Sequence, residues 1–282
     1  MEEGNHMDLS ATFAGAYTVW YRDVISLLRD RSRLISTVVM TVVMLVGVGF
    51  GVGGLIGKVG GGGAGVLGGM ASVPGVPFVQ FIFPAMIAIT VLATAMQSTM
   101  SMVYDREFGF MKKILVAPVS RTSVALGKVA GGMTIALIQA ALMLLVAPFV
   151  GIHFTLGSAL LVVLVLVVLA ATITSLGVLV ASRQTSQQGF QLVNMLVMMP
   201  IMMLSLGSFL PSFGSGMMAS AFKIASQLNP VTYGIDALRQ AMLGAAMPAS
   251  LVLHSVTLDV LVLCVLFVAF LVPGVRLFAK QD

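Results

Sequence analysis

Residues 157–181, GSALLVVLVLVVLAATITSLGVLVA, run for 25 positions without a charged side chain. As a helix this stretch is about 37 Å long at 1.5 Å per residue, more than the roughly 30 Å hydrocarbon core of a bilayer. A single such run predicts a membrane span, and the rest of the chain repeats it. Runs at 34–57, 79–103, 123–149, 190–210 and 251–273 also reach the crossing length, so the sequence predicts six transmembrane helices. Composition agrees: mean hydropathy is +1.07, 59% of residues are hydrophobic, and 9% are charged against about 25% in soluble domains. The fold class expected is an all-α integral membrane protein forming a single transmembrane domain over 1–282.

An even number of spans puts both termini on one side, and the Lys and Arg distribution selects it. Arg22, Arg29, Arg31, Arg33, Arg106, Lys112, Lys113, Arg121, Lys128, Arg183, Arg276 and Lys280 fall together, twelve against Lys58, Lys223 and Arg239 opposite. The positive-inside rule then predicts cytoplasmic termini in a multi-pass protein of the cell membrane. The net charge of +5 belongs to this topology signal, and no nucleic-acid partner is implied.

Several segments flank the spans. Residues 13–33 alternate Phe13, Tyr17, Trp20, Tyr21, Val24, Ile25, Leu27 and Leu28 with Arg22, Asp23, Arg29 and Asp30, which predicts an amphipathic helix along the inner membrane surface, in contact with lipid. The first apolar run begins only near Leu34 and lacks the cleavage pattern of a signal peptide, so it is expected to stay as a helix. The opening MEEGNHM is left out of this reading, Met7 being an alternative start. Residues 58–78, KVGGGGAGVLGGMASVPGVPF, predict an external glycine-rich connection. Its GAGVLG at 63–68 fits GxGxxG but adjoins no strand-and-helix unit, so no dinucleotide site is expected. Residues 211–250, interrupted by Pro211, Pro230 and Pro248, are too polar to cross, and Ala219–Leu228 and Tyr233–Leu243 predict short re-entrant helices in the outer leaflet.

Chemistry is sparse. The Gly57-Lys58 and Gly127-Lys128 pairs have Val52 and Thr122 where a phosphate-binding loop needs its leading Gly, and Val where Ser or Thr must follow, so the chain is not expected to hydrolyse ATP. His6, His153 and His254 are scattered and lie in no HExxH, which gives no metal site and no catalytic residue. One cysteine, Cys264, excludes a disulfide framework and sits in an apolar run. The predicted middle spans carry no ionisable residue at mid-depth, which disfavours an ion-driven carrier. Their polar residues include Gln97, Gln139 and Asn194, with Ser98, Thr99, Thr134, Thr172, Thr174 and Ser175. A methionine cluster at Met195, Met198, Met199, Met202 and Met203 offers a polarizable apolar surface. Gln97, Gln139, Asn194, Met198 and Met202 are the candidate pathway-lining residues. Asp236 and Arg239, three apart, read as a tether of the external region more than as substrate contacts.

One remaining stretch stands out. DREFGFMKKILVAPVSRTSVALGK, beginning at Asp105, resembles a loop of ABC-2 type permeases, especially their daunorubicin-resistance drug-export branch. The similarity continues at Pro200 and Gly207–Pro211, and LNPVTYGIDALRQ at 228–240 resembles the family's external NPxTYxxDxxR signature. Arg106, Glu107 and Gly109 match the loop's RExG core. Pro118, Val119, Ser120 and Arg121 match its PVSR, and Gly127 and Lys128 the GK opening the third span. The sequence departs from the pattern at Phe110, Lys113 and Leu206.

The resemblance implies a type V exporter-like fold and a permease that pairs with a second permease copy and with two cytoplasmic ABC ATPase subunits. ATP and Mg would be held on those partners, with no cofactor on this chain. It further implies that 105–121 is a coupling helix seated on the ATPase. Arg106, Glu107, Phe108, Gly109, Met111, Ile114, Leu115, Pro118 and Arg121 are its expected contacts, with Asn229, Pro230, Tyr233, Asp236 and Arg239 marking the external region. The physical reading runs parallel: Phe108, Met111, Ile114 and Leu115 form an apolar face beside exposed charges, which suits docking on another protein. Outward movement of an amphipathic or hydrophobic compound, such as a drug, lipid or secondary metabolite, is the function expected. An ion-gradient-driven carrier and a structural membrane subunit are the alternatives.

Overall fold

The computed structural model describes residues 9–30, 76–108, 120–205, 224–244, 247 and 252–280, with single positions between 32 and 47. Among them every regular element is helical: α1 (Leu9–Arg29), α2 (Phe78–Glu107), α3 (Arg121–Leu144), α4 (Leu156–Ser182), α5 (Gln187–Ser205), α6 (Pro230–Leu243) and α7 (Val256–Lys280), with a 3-10 turn at Ala147–Val150. Five of these, α2 to α5 and α7, are long and apolar enough to cross a membrane. They correspond to the second to sixth expected spans. Most of the first expected span, 34–57, and of the glycine-rich connection lies outside the described residues, as does 206–223 with the start of the expected Ala219–Leu228 helix.

Helix ends follow local chemistry more than hydropathy. At α4, Thr155 caps the first turn by accepting from the Ser158 N–H at 3.2 Å, while Ser158 Oγ accepts from the Thr155 N–H at 2.9 Å, a reciprocal capping box. The third span was expected to reach 149, but α3 stops at Leu144, the residue whose carbonyl the Pro148 ring would crowd in a continued α-helix, and the chain tightens into the 3-10 turn. Gly151 ends that turn at φ +84°, in the left-handed region. The expected stop at Pro273 is also corrected: α7 runs on to Lys280, since one proline removes one hydrogen bond and the flanking turns hold. At its other end α7 starts at Val256, five residues later than expected.

The centre of the bundle is α4, which packs on α7, α2, α3 and α6. In lipid the hydrophobic effect does not drive helices together, so close van der Waals packing and hydrogen bonds must. Small residues supply the first. A Cβ on Gly177 would lie 2.8 Å from the Thr99 side chain, and one on Gly132 would lie 2.6 Å from Thr174 Cγ2. Polar bonds supply the second: Thr172 donates to Leu263 O of α7 at 3.0 Å, and Thr94 of α2 donates to Gln139 Oε1 of α3. Helices α5 and α7 stay peripheral, with Leu192, Leu196 and Met199 exposed on one and Leu261, Val265 and Val268 on the other.

Two apolar clusters divide the bundle. The larger includes Phe81, Phe83, Leu92, Leu169, Ile235 and Leu238, around the inserted helix α6. The smaller joins Val19, Met102, Val124, Val178, Phe190 and Phe278, where α1, the end of α2 and the start of α3 meet α4, α5 and α7.

Candidate functional site

The α2–α3 connection, 109–119, lies outside the described residues, so the candidate site is built from its two roots. Gly109, Met111, Ile114, Leu115 and Pro118 of the expected coupling set lie outside the described residues. Arg106, Glu107 and Phe108 are described, and helix α2 continues through the first two, past the expected end at 103, so they extend a span instead of opening a loop.

Arg106 and Glu107 grip the turn between α4 and α5. Arg106 Nη1 donates to Ser182 O at 3.1 Å and Gln184 O at 2.9 Å, placing a cation on carbonyls at the C-terminal end of α4. Its guanidinium also lies 5.4 Å from the centroid of the Phe278 ring of α7. One residue on, Glu107 Oε2 accepts from the Gln187 N–H at 2.9 Å, at the N-terminus of α5, where Ser186 Oγ also accepts from the Gly189 N–H at 3.2 Å. Adjacent opposite charges thus meet the negative end of one helix and the positive end of the next. Phe108 is exposed and its ring lies 4.5 Å from that of Tyr104. At the other root, Ser120 caps α3 by accepting from the Ser123 N–H at 3.2 Å, and Arg121 occupies the first turn, partly buried.

Beside this grip lies an ion cluster that sequence reasoning missed. Lys128, only 3% exposed, places Nζ 3.1 Å from Asp23 Oδ2, 3.2 Å from Asp105 Oδ2 and 2.9 Å from Ser101 Oγ. Arg22 Nη2 approaches Asp105 at 3.0 Å and Asp23 at 3.4 Å. Burial alone would lower the Arg22 pKa, but Asp105 and then Asp23 outweigh it and hold it above its ordinary value. Helices α1, α2 and α3 are therefore joined by two acids and two cations. Gly127 permits the approach, since a Cβ there would stand 2.6 Å from Ala16 O and 2.8 Å from Val19 Cβ. Trp20 Nε1 donates to Thr134 Oγ1 at 2.9 Å, further along α3. The expected surface helix 13–33 is thus fastened along α3 as α1. Lys128, counted in the sequence as a topology charge, is an internal tie.

A cavity of about 530 Å³ opens between α1 and α2, lined by Asp23, Asp30, Gln97, Met100, Tyr104 and Asp105 among others. Gln97 is the candidate pathway residue that lines it. Gln139 is buried and engaged by Thr94, Asn194 is partly buried on α5, Met198 packs against the larger core, and Met202 is exposed. Of the five, Gln97 alone lines this cavity.

At the opposite end, α6 is buried along nearly its whole length. Asn229 caps it, accepting from the Val231 N–H at 3.0 Å, and its Nδ2 donates to Ile201 O and Ser205 Oγ of α5, each at 2.9 Å. Pro230 occupies the first helical position, where its missing N–H costs nothing. Tyr233 donates to Gln227 O at 2.6 Å. Arg239, 1% exposed, donates from Nε to Phe81 O at 3.3 Å and lies 4.0 Å from the Phe81 ring centroid. Asp236 Oδ2 accepts from the N–H groups of Leu253 and His254 and from Gln240 Nε2. Both members of the expected Asp236 and Arg239 pair hold α6 to neighbouring segments, Arg239 to α2 and Asp236 to the lead-in of α7. The expected short helix is present as α6, beginning at Pro230.

Five crossing-length helices around a buried polar junction describe a multi-pass membrane protein. A sequence profile of the ABC-2 type transporter family matches residues 15–243, from α1 through α6, and the chain belongs to that family. It is 29% identical over 168 residues to the "Putative transport permease ycf38" of Cyanophora paradoxa, covering 57% of this chain and 55% of that protein. It is 28% identical over 167 residues to the protein of the same description in Porphyra purpurea, covering 57% and 54%. The chain spans about half the length of the curated relatives it matches.

Proposed function

We propose that this chain is the membrane permease subunit of an ATP-binding cassette exporter. It is energised by separate cytoplasmic ATPase subunits that hold ATP and Mg, and it works paired with a second permease copy. The observation that carries the reading is the double grip of Arg106 and Glu107 on the α4–α5 turn. A force applied to the 109–119 connection passes directly into α2 and α3, and through this grip into α4 and α5. With Arg106 over Phe278, α7 is attached as well. A bare topology-setting turn needs no such wiring.

In this scheme the ATPase seats against the 105–121 stretch on the cytoplasmic face, and its closure on ATP displaces the roots of α2 and α3. Helix α1 moves with them through Asp23, Asp105 and Lys128. The cavity beside Gln97 takes up an amphipathic or hydrophobic compound, and α6 closes the outer end until the helices rearrange. On this reading the contribution of this chain is positional, and the covalent chemistry belongs to the ATPase subunits.

The test is reconstitution with the partner ATPase in proteoliposomes, comparing wild type with Arg106→Ala and Glu107→Ala. Loss of substrate-stimulated ATP hydrolysis, with basal hydrolysis retained and the complex intact, is the expected result. Unchanged stimulation and unchanged flux in the double variant would remove the coupling role.

A further inference from the structure

We infer that Asp236, His254 and Asp259 form a binding site for a divalent cation of the Zn2+ or Mn2+ type, set between α6 and the start of α7. One ligand atom from each lies within 4.8 Å of the other two, and His254 Nδ1 stands 3.8 Å from Asp259 Oδ1. Ligands at 2.0–2.2 Å from a zinc ion are separated by roughly 3.3 Å in a tetrahedral set, so modest side-chain rotation closes the site.

The carboxylates carry the argument. Asp259 is fully buried, and neither of its oxygens has a hydrogen-bond partner among the described residues. Asp236, 1% exposed, is held through Oδ2 by three N–H donors, while its Oδ1 is buried and without a hydrogen-bond partner. Three buried carboxylate oxygens thus lack donors in two acids that stand beside an imidazole, an arrangement that is costly unless a cation completes it. The neighbouring cation on α6, Arg239, donates to Phe81 O of α2 and offsets part of the Asp236 charge through space, which leaves Asp259 as the acid whose two oxygens both lack a donor among the described residues.

The remaining geometry suits a metal. His254 is stacked on Tyr233, ring centroids 5.3 Å apart, which fixes the plane in which Nδ1 faces Asp259. Gln240 bonds both Asp236 Oδ2 and His254 O, so one side chain orients two of the donors. The imidazole is 25% exposed, which leaves a route from solvent. One nitrogen and two carboxylate donors favour Zn2+, or Mn2+, which also accepts an imidazole, over Ca2+ or Mg2+, which prefer all-oxygen cages. Bound there, the ion would pin α6 to α7 and complete the cap at that end of the bundle.

The experiment uses the purified full-length chain in nanodiscs, stripped with a chelator and titrated with Zn2+, Mn2+, Mg2+ and Ca2+ by calorimetry and thermal melting. Saturable one-to-one binding of Zn2+ or Mn2+ that raises the melting temperature is expected, with Mg2+ and Ca2+ at least tenfold weaker. Asp259→Asn and His254→Gln should each weaken that binding by tenfold or more, while His153→Gln, in an exposed turn, leaves it intact. X-ray absorption of the zinc-loaded protein should show nitrogen and oxygen ligands including an imidazole. Absence of saturable binding in the wild-type chain overturns the proposal whatever the variants do. So does equal affinity in wild type and Asp259→Asn, since the ion would then be bound elsewhere.

Discussion

Replacing Lys128 by Met removes the buried cation that touches both Asp23 and Asp105 while keeping most of the side-chain volume. Breaking a buried ion pair from one side costs about 3–5 kcal/mol, and because Arg22 still reaches both acids and each retains some exposure, about 2–3 kcal/mol is expected here. At 1.4 kcal/mol per tenfold, that shifts the docking of α1 by roughly 30- to 150-fold. The loss arises mainly from two carboxylates that lose their buried partner and keep only the half-exposed Arg22, so adding Asp23→Asn and Asp105→Asn to Lys128→Met should restore most of the docking. The chain carries its own reporter, since Trp20 is its single tryptophan and donates to Thr134 of α3. In nanodiscs, acrylamide quenching of Trp20 should increase in Lys128→Met and fall back in the triple variant. If quenching and melting temperature are both unchanged in Lys128→Met, the cluster does not hold α1 and the reasoning fails.

Further expectations follow from contacts of the same kind. Gly127→Val puts side-chain atoms where Ala16 O and Val19 Cβ already stand, an overpacking of about 1–3 kcal/mol, so α1 should detach by the Trp20 quenching assay without any change in charge. Gly234→Ala places a Cβ 2.8 Å from the Leu169 side chain, and it should lower the melting temperature by loosening α6 from α4 while Trp20 quenching stays as in wild type. Asn229→Ala removes the α6 cap and two donors to α5, a loss of about 1–2 kcal/mol, seen as faster hydrogen exchange over 230–234.

Crossing-length helices were legible in the sequence because a bilayer imposes a length and a composition on them. Their ends were less so: α2 continues into Arg106 and Glu107 because those charges are answered by helix termini elsewhere in the fold, a fact no hydropathy window contains. Lys128 looked like one more inside-facing charge, and Asp23 like the polar face of an amphipathic helix; their pairing exists only once three helices assemble around Gly127. His254 was set aside for want of a spacing pattern, yet the lead-in to α7 folds back on α6 and brings it to Asp236 and Asp259. Asn229, Tyr233, Asp236 and Arg239 were marked by resemblance, and the structure places all four in bonds that secure α6. What passes through the bundle was not legible at all, because apolar and weakly polar linings suit many compounds alike.

The most direct measurement of the central claim is site-specific photo-cross-linking at position 111, within the α2–α3 connection, in native membranes. The account predicts an adduct with a cytoplasmic protein whose peptides contain a phosphate-binding loop, abolished when that protein is absent. Adducts confined to lipid or to another copy of this chain would contradict it.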